Sequence, residues 1–172
     1  MTVRLCLPYP HPCLKSPAAS VDGITDEVRS IWADMVDTMD AMPGYGLAAV
    51  QIGVPLRLAV VDCSDERGQA ILMANPEVLH ASGQFREHEE ASPNLPGVSA
   101  VVRRPRAVTV RFMNAAGAIE ERDFVNLSRI GQASKMDKLA TTGRFGLGFN
   151  SAYHFTDLPQ LVSGDSLVMF DP

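Results

Sequence analysis

The chain has 172 residues, the length of one domain of ordinary size. Hydrophobic residues make up 46% of it and charged residues 20%, a composition typical of a folded globular protein and not of a disordered one. Its 20 acidic and 15 basic residues give a net charge of −5. Because such a field repels phosphate backbones, we expect no nucleic-acid partner.

Cysteine usage and hydropathy indicate where the protein acts. Cys6, Cys13 and Cys63 are an odd number at irregular spacing, which is not a disulfide framework. The opening residues lack the apolar core of a signal peptide, and no stretch approaches the ~18 apolar residues of a membrane span. We therefore expect a cytoplasmic protein with no membrane partner.

The first strong element is an amphipathic helix that follows an extended arm over Pro8 to Pro17. Thr25 can cap this helix, with two acidic residues in its first turn. Pro43 and Gly44 predict its end. Apolar residues recur on one face at three- and four-residue steps: Val28, Ile31, Trp32, Met35, Val36 and Met39.

Strand-length apolar runs follow the helix, with turn sequences between them. The runs are Leu56 to Val61, Ala70 to Ala74, Ala107 to Met113 and Ala118 to Glu120. A charged turn separates the first two, and a sequence of hairpin type joins the last two. The predicted fold class is α+β, with one long N-terminal helix followed by antiparallel strands.

A glycine-rich stretch connects the helix to the first strand. It contains Gly44, Tyr45, Gly46 and Leu47 and ends at Gln51. Glycines let the backbone approach a ligand closely, and the amide of Gln51 can donate or accept a hydrogen bond beside it. From spacing alone, a tight packing turn is the favoured interpretation of this stretch.

Two further stretches, residues 73–78 and 89–97, favour a functional role for the glycine-rich stretch over a packing turn, because of their order and spacing. Together with the glycine-rich stretch they resemble the peptide deformylase family over about residues 3–124. The family carries three motifs: Gly-x-Gly-apolar-Ala-Ala-x-Gln, Glu-Gly-Cys-apolar-Ser, and His-Glu-x-x-His on a helix. The resemblance implies metal-dependent removal of the N-formyl group from the formylmethionine of nascent peptides.

The resemblance also implies roles for individual residues. In the family one Cys and two His hold Fe²⁺ or Zn²⁺ and leave a fourth position for water. Gln51 would contact the formyl oxygen as a catalytic group. The positions that would bind the substrate are Gly44, Tyr45, Gly46, Leu47 and Glu90.

The metal ligands do not carry over. Ser92 stands where the family has its Cys, and a serine hydroxyl is a poor substitute for a thiolate. The next residue, Pro93, has no N–H to offer an oxyanion. The four histidines of the chain are never spaced i, i+4, so the third motif is absent. We therefore expect no bound metal and no turnover by the family mechanism.

Other residues could in principle rebuild a site. His88 and Glu90 would share a strand face and could contact a metal together. The favoured alternative is a solvated charged edge. Cys63 is predicted to be a small buried hydrophobe and not a nucleophile, because no basic neighbour in sequence lowers its pKa.

The last part of the chain, residues 126–172, has a glycine-rich sequence from Gly143 to His154. This sequence and the residues after it resemble the ATP-binding segment of sacsin and its Hsp90-like relatives. This implies a short loop-helix-strand segment in which Gly143, Gly146 and Gly148 contact the phosphates of Mg-ATP. The upstream half of that pocket is missing, so no nucleotide is predicted to bind.

These resemblances predict a truncated deformylase-like domain at residues 1–124 and an ATPase fragment at residues 125–172. Three functions stay open at this point. The chain could be a catalytically inactive deformylase-like protein that still binds peptide N-termini. It could be a fragment of a sacsin-like ATP-binding protein, or a fusion in which neither site works.

Overall fold

The structure is a computed structural model that describes residues 2–42, 44–64 and 66–125, and the backbone of two strands near the C-terminus. The elements are α1 (Asp26–Ala41), β1 (Gly46–Ala48), β2 (Leu58–Val61), β3 (Ile71–Ala81), β4 (Phe85–Ala91), β5 (Ser99–Pro105), β6 (Ala107–Met113), β7 (Ile119–Val125), β8 (Gln160–Ser163) and β9 (Ser166–Met169). Short 3₁₀ helices lie at Pro12–Leu14 and Ala49–Ile52.

Helix α1 begins and ends where the local sequence predicts. Thr25 Oγ1 accepts a hydrogen bond of 3.3 Å from the Val28 N–H, which satisfies one of the free amides of the first turn. The buried side chains of its apolar stripe include Val28, Trp32, Met35 and Met39. Among the described residues, no helix is long and apolar enough to cross a membrane.

Five strands form one antiparallel sheet in the order β1-β2-β3-β6-β7. Alternate residues of a strand point to opposite faces, so the sheet divides its apolar residues between two clusters. On one face α1 packs against Leu47, Leu58 and Val60. The second cluster consists of Val61, Met73, Val110, Phe112 and Phe124. The antiparallel arrangement expected from the sequence is confirmed.

A separate hairpin carries the second motif. Strands β4 and β5 pair antiparallel, with His88 opposite Val102 and Glu90 opposite Ala100. The connection between them, residues 92–98, contains Ser92 and Pro93. The sequence allowed a shared strand face for His88 and Glu90, but this hairpin was not predicted, because β4 is mostly charged and shows no apolar run.

Several bounds differ from the sequence predictions. Strand β6 has the predicted bounds, whereas β3 and β7 continue several residues beyond theirs. The segment from Pro8 to Pro17 is not uniformly extended, because Pro12–Leu14 form a 3₁₀ helix whose Cys13 N–H is capped by the His11 side chain. Extended structure was the wrong prediction there.

Near the C-terminus, β8 and β9 pair as an antiparallel hairpin. The rest of the predicted loop-helix-strand segment lies outside the described residues. So do Gly143, Gly146 and Gly148, the positions that the second resemblance assigns to phosphate binding.

Candidate functional site

The glycine-rich stretch becomes edge strand β1 and the 3₁₀ helix that follows it. The Tyr45 carbonyl accepts a 2.9 Å hydrogen bond from Asp62 just beyond β2, whereas the Ala48 N–H is held by the Gln51 side chain. Backbone groups of an antiparallel strand alternate between its two sides. The N–H and C=O of Gly46 therefore point away from β2, to the same outer side as the Ala48 N–H.

Four residues of this stretch, which the resemblance predicts to bind the substrate, differ in accessibility. Gly44, Gly46 and Leu47 are buried, and the Leu47 side chain belongs to the core beneath α1. Tyr45 is half-buried, with the Arg67 guanidinium carbon 5.6 Å from the centre of its ring. Among these four, Tyr45 is the residue that is partly accessible.

Gln51 is held by its own 3₁₀ helix, which ends at Gly53 with a φ of +85°, a conformation that favours glycine. The Gln51 side chain is fully buried. Its Oε1 accepts a 2.8 Å hydrogen bond from the Ala48 N–H, and its Nε2 donates one of 2.7 Å to Asn94 Oδ1. Both ends of the carboxamide are thus engaged within the protein.

Asn94 is a site residue that the sequence analysis missed. Its Oδ1 also accepts a 3.3 Å hydrogen bond from the Ser92 hydroxyl, and its Nδ2 donates to the carbonyls of Leu7, at 2.6 Å, and Gln51, at 3.2 Å. The available signal was its position: Asn94 stands where the family's second motif ends in Ser. The longer amide reaches the first motif, 43 residues away in sequence.

Ser92 lies in the same buried group, with 1% of its surface exposed. Its hydroxyl accepts a 3.3 Å hydrogen bond from the Asn94 N–H in addition to the one that it donates. Over residues 2–42, 44–64 and 66–125, no group of three or more His, Cys, Asp or Glu side chains could hold a metal ion. Ser92 therefore acts here as a hydrogen-bonding partner of Asn94.

The cysteines differ in exposure, and Cys6 and Cys13 are half-buried. Cys63 is exposed, so the prediction that it is buried was wrong. Its thiol pKa is nevertheless raised to about 11, first by desolvation and then by the neighbouring Asp62 carboxylate. Burial likewise raises the pKa of Cys6 to about 11. Neither thiol has the lowered pKa of a reactive cysteine.

Glu90 is not part of a solvated edge, the interpretation that the sequence favoured. It is 6% exposed, and its two carboxylate oxygens each accept a 3.0 Å hydrogen bond from Arg104. His88 Nε2 lies 2.7 Å from Glu90 Oε1. Burial alone would raise the pKa of Glu90, but the hydrogen bonds from His88 and Arg104 outweigh it and lower the pKa below its usual 4.5.

A small cleft, mostly apolar, opens between the β4–β5 hairpin and the loop that joins its strands. Its lining residues are Glu90, Ala91, Ser92, Leu95, Val98, Ser99, Ala100 and Val102. The cleft thus lies beside three positions of the second motif, Glu90, Ala91 and Ser92, but the Glu90 carboxylate is already occupied by Arg104 and His88.

Comparison with known proteins assigns this chain to a family. The sequence model for "Polypeptide deformylase" matches residues 3–142. Peptide deformylase of Phenylobacterium zucineum (strain HLK1) is 39% identical over 141 residues, which cover 81% of this chain and 83% of that protein. The chain therefore belongs to the polypeptide deformylase family.

Further relatives agree with this assignment. A protein of Bradyrhizobium diazoefficiens named peptide deformylase-like is 36% identical over 139 residues, 81% of each chain. The crystal structure of a peptide deformylase from Legionella pneumophila superposes with a TM-score of 0.68 at 35% identity, covering 74% of this chain and 75% of that one. The family match ends at residue 142, beyond the boundary expected at residue 124.

Proposed function

We propose that this protein binds the N-terminal residues of peptides in a deformylase-like groove and does not remove formyl groups by the family's metal-dependent mechanism. The observation that carries the proposal is the hydrogen-bonded group Ser92–Asn94–Gln51, which occupies the positions of the family's cysteine ligand and catalytic glutamine.

The donor set does not fit the ion that the family uses. Iron or zinc in such a site needs a thiolate and two imidazoles, and Ser92 supplies a neutral hydroxyl that donates one hydrogen bond to Asn94 and accepts another from it. His88 is directed to Glu90. The 172 residues also contain no pair of histidines at i, i+4. We therefore derive no catalytic step through a metal.

Peptide binding is supported by the edge of the sheet. Strand β1 pairs with β2 on one side, and no described strand pairs with its other side. An extended peptide can add to such an edge through backbone hydrogen bonds. The N–H and C=O of Gly46 point outward for this purpose, but Gly46 is buried, so the peptide must displace the groups that cover it. The accessible part of Tyr45 adjoins this edge and offers an aromatic surface to a methionine side chain.

The test combines metal analysis, hydrolysis and binding on the same preparation. The protein is incubated with Fe²⁺ or Zn²⁺ without oxygen, desalted, and assayed for metal and for hydrolysis of N-formyl-Met-Ala-Ser. We expect less than stoichiometric metal and no turnover, also for Ser92→Cys, because one restored thiolate does not supply the imidazoles. Stoichiometric metal with formate release by the unaltered protein would refute the proposal.

Binding is measured by calorimetry with N-formyl-Met-Ala-Ser and with the same peptide lacking the formyl group. We expect Tyr45→Ala to weaken binding, whereas the matched control Val101→Thr alters a side chain that is 71% exposed on β5 and leaves affinity unchanged. If neither peptide binds, the peptide-binding half of the proposal is contradicted. For location we propose the cytoplasm, on the cysteine usage given above.

A further inference from the structure

The first residues of the chain form a strap, residues 2–9, that runs from α1 to the buried amide group. At its start the strap is tied to α1. The Thr2 N–H donates to Asp34 Oδ1 at 2.9 Å, the Arg4 N–H donates to Thr38 Oγ1 at 2.8 Å, and the Arg4 guanidinium reaches Asp34 Oδ2 at 2.7 Å.

At its other end the strap is tied to the site itself. The Leu7 N–H donates to the Gln51 carbonyl at 2.8 Å, and the Tyr9 N–H donates to the Asn94 carbonyl at 2.9 Å. The Leu7 carbonyl accepts the 2.6 Å hydrogen bond from Asn94 Nδ2. The same Asn94 side chain therefore contacts the strap with its nitrogen and Gln51 Nε2 with its oxygen.

Apolar burial in the strap is confined to Cys6 and Leu7, which are half-buried: Cys6 packs against the core cluster beneath α1, and the Leu7 side chain lies beside Gly53. Leu5 is 91% exposed and Val3 59% exposed, and both point outward between the anchored positions. A segment that depends on hydrogen bonds more than on buried apolar surface belongs to the low-stability end of a structure and opens without global unfolding. The strap therefore has the properties of a segment that can detach while the sheet stays folded.

The orientation of the Asn94 amide couples the two ends. With Nδ2 toward the Leu7 and Gln51 carbonyls and Oδ1 toward Gln51 Nε2, each contact joins a donor to an acceptor. A half-turn of the amide would place NH₂ against NH₂ and oxygen against two carbonyls. The docked strap, together with the Gln51 carbonyl, thus favours the one orientation in which Asn94 Oδ1 accepts one of the two N–H groups of Gln51 Nε2.

We propose that the strap is an autoinhibitory latch that acts through Asn94 as a positioning residue. While the strap is docked, Asn94 Oδ1 keeps an N–H of the Gln51 side-chain amide engaged in a hydrogen bond. When the strap detaches, Asn94 loses its Leu7 contact and releases the Gln51 carboxamide, which can then donate to a carbonyl oxygen. The role of that carbonyl as part of a peptide rests on the proposed function, whereas the coupling of strap and Gln51 does not.

Residue-resolved amide hydrogen exchange tests the coupling, because each part has its own reporter. The Leu7 and Tyr9 amides report on the strap, and the Ala48 amide reports on Gln51, whose Oε1 holds it. Asp34→Ala removes strap anchors on α1 without touching the site. We expect exchange about tenfold faster at Leu7 and Tyr9, as for the loss of a net hydrogen bond, and a parallel increase at Ala48.

Val110 of β6, which is 1% exposed, reports on global unfolding. Because the lost anchors destabilise the native state relative to the strap-open and the unfolded states alike, its exchange should rise by about the same factor but stay slower than at Ala48 in both proteins. Asn75→Gly is the matched control. It removes two similar side-chain hydrogen bonds, to the N–H and C=O of Val21, and it suits the positive φ of 51° at that position. It should accelerate exchange at Val21 and leave Leu7, Tyr9 and Ala48 unchanged.

Two results would overturn the latch. One is faster exchange at Leu7 and Tyr9 in Asp34→Ala with Ala48 unchanged, which would mean that strap and Gln51 open independently. The other is no acceleration at the strap at all. Asn94→Ala should accelerate all three amides, and if it fails to fold, the Asp34→Ala comparison decides alone. Failure of peptide binding would leave these exchange results intact, so the two proposals are tested separately.

Discussion

Replacing Arg104 by Met should be among the most damaging single changes in the β4–β5 hairpin. It keeps an aliphatic stem of similar length and removes the guanidinium that donates two 3.0 Å hydrogen bonds to Glu90. The Glu90 side chain is 5% exposed, so bulk water cannot replace these hydrogen bonds. The substitution therefore leaves a buried carboxylate with His88 as its remaining partner in this group.

The magnitude follows from the geometry. Two unit charges at about 3 Å interact by roughly 5 kcal/mol at an effective dielectric constant near 20. Breaking a buried ion pair by removing one partner typically costs about 3–5 kcal/mol. Because His88 Nε2 still lies 2.7 Å from Glu90 Oε1, we expect the free energy of unfolding to fall by about 3 kcal/mol at pH 7, the lower end of that range.

Urea unfolding at pH 7 and at about pH 4 measures this loss. Without Arg104 the pKa of Glu90 rises, because burial is opposed by one fewer partner. Acid then neutralises the buried carboxylate in the variant, so the deficit relative to the unaltered protein should shrink as the pH falls. The double variant Arg104→Met/Glu90→Gln should recover part of it. A cost below about 1 kcal/mol, or one that is equal at both pH values, would refute the reasoning.

Three further changes test other parts of the fold. Trp32→Ala should lower the free energy of unfolding by about 3–5 kcal/mol in urea denaturation, whereas the exposed control Val101→Thr should change it by less than about 0.5 kcal/mol. Thr25→Ala should cost about 1 kcal/mol through the lost helix cap, with Thr25→Ser as the conservative control; equal costs would argue against the cap. The lowered pKa of Glu90 stabilises the fold above its ordinary value of 4.5, and this contribution is lost as the pH falls through the folded-state pKa. Melting temperatures from pH 7 to 3 should therefore decline less steeply for Glu90→Gln than for the unaltered protein, and parallel declines would contradict this.

Features that depend on neighbouring residues could be read directly from the sequence. The cap at Thr25, the apolar stripe and the following Pro-Gly predict helix α1, and a continuous apolar run predicts β6 with the observed bounds. The motif around Gln51, with the order and spacing of residues 73–78 and 89–97 after it, indicates the family. The helix and strand signals each lie within a few residues of the structure that they specify, so local physical rules are enough.

Features that depend on distant contacts could not be read in this way. A charged β4 predicts solvent exposure, and Glu90 is buried because Arg104, 14 residues away, supplies its counter-charge. The position of Asn94 was visible, but not its contacts with Gln51 and Leu7, which are 43 and 87 residues away.

The physical reason is the cost of burying polar groups. A carboxylate or an amide can leave water only if the folded chain brings it a partner of suitable geometry, and which residue provides that partner depends on how distant segments pack. The sequence by itself therefore determined the helix and the core strands, and it predicts that the family's metal donors are missing. The tertiary structure decided that Ser92, Asn94 and Gln51 join into one hydrogen-bonded group and that the N-terminal strap is attached to it.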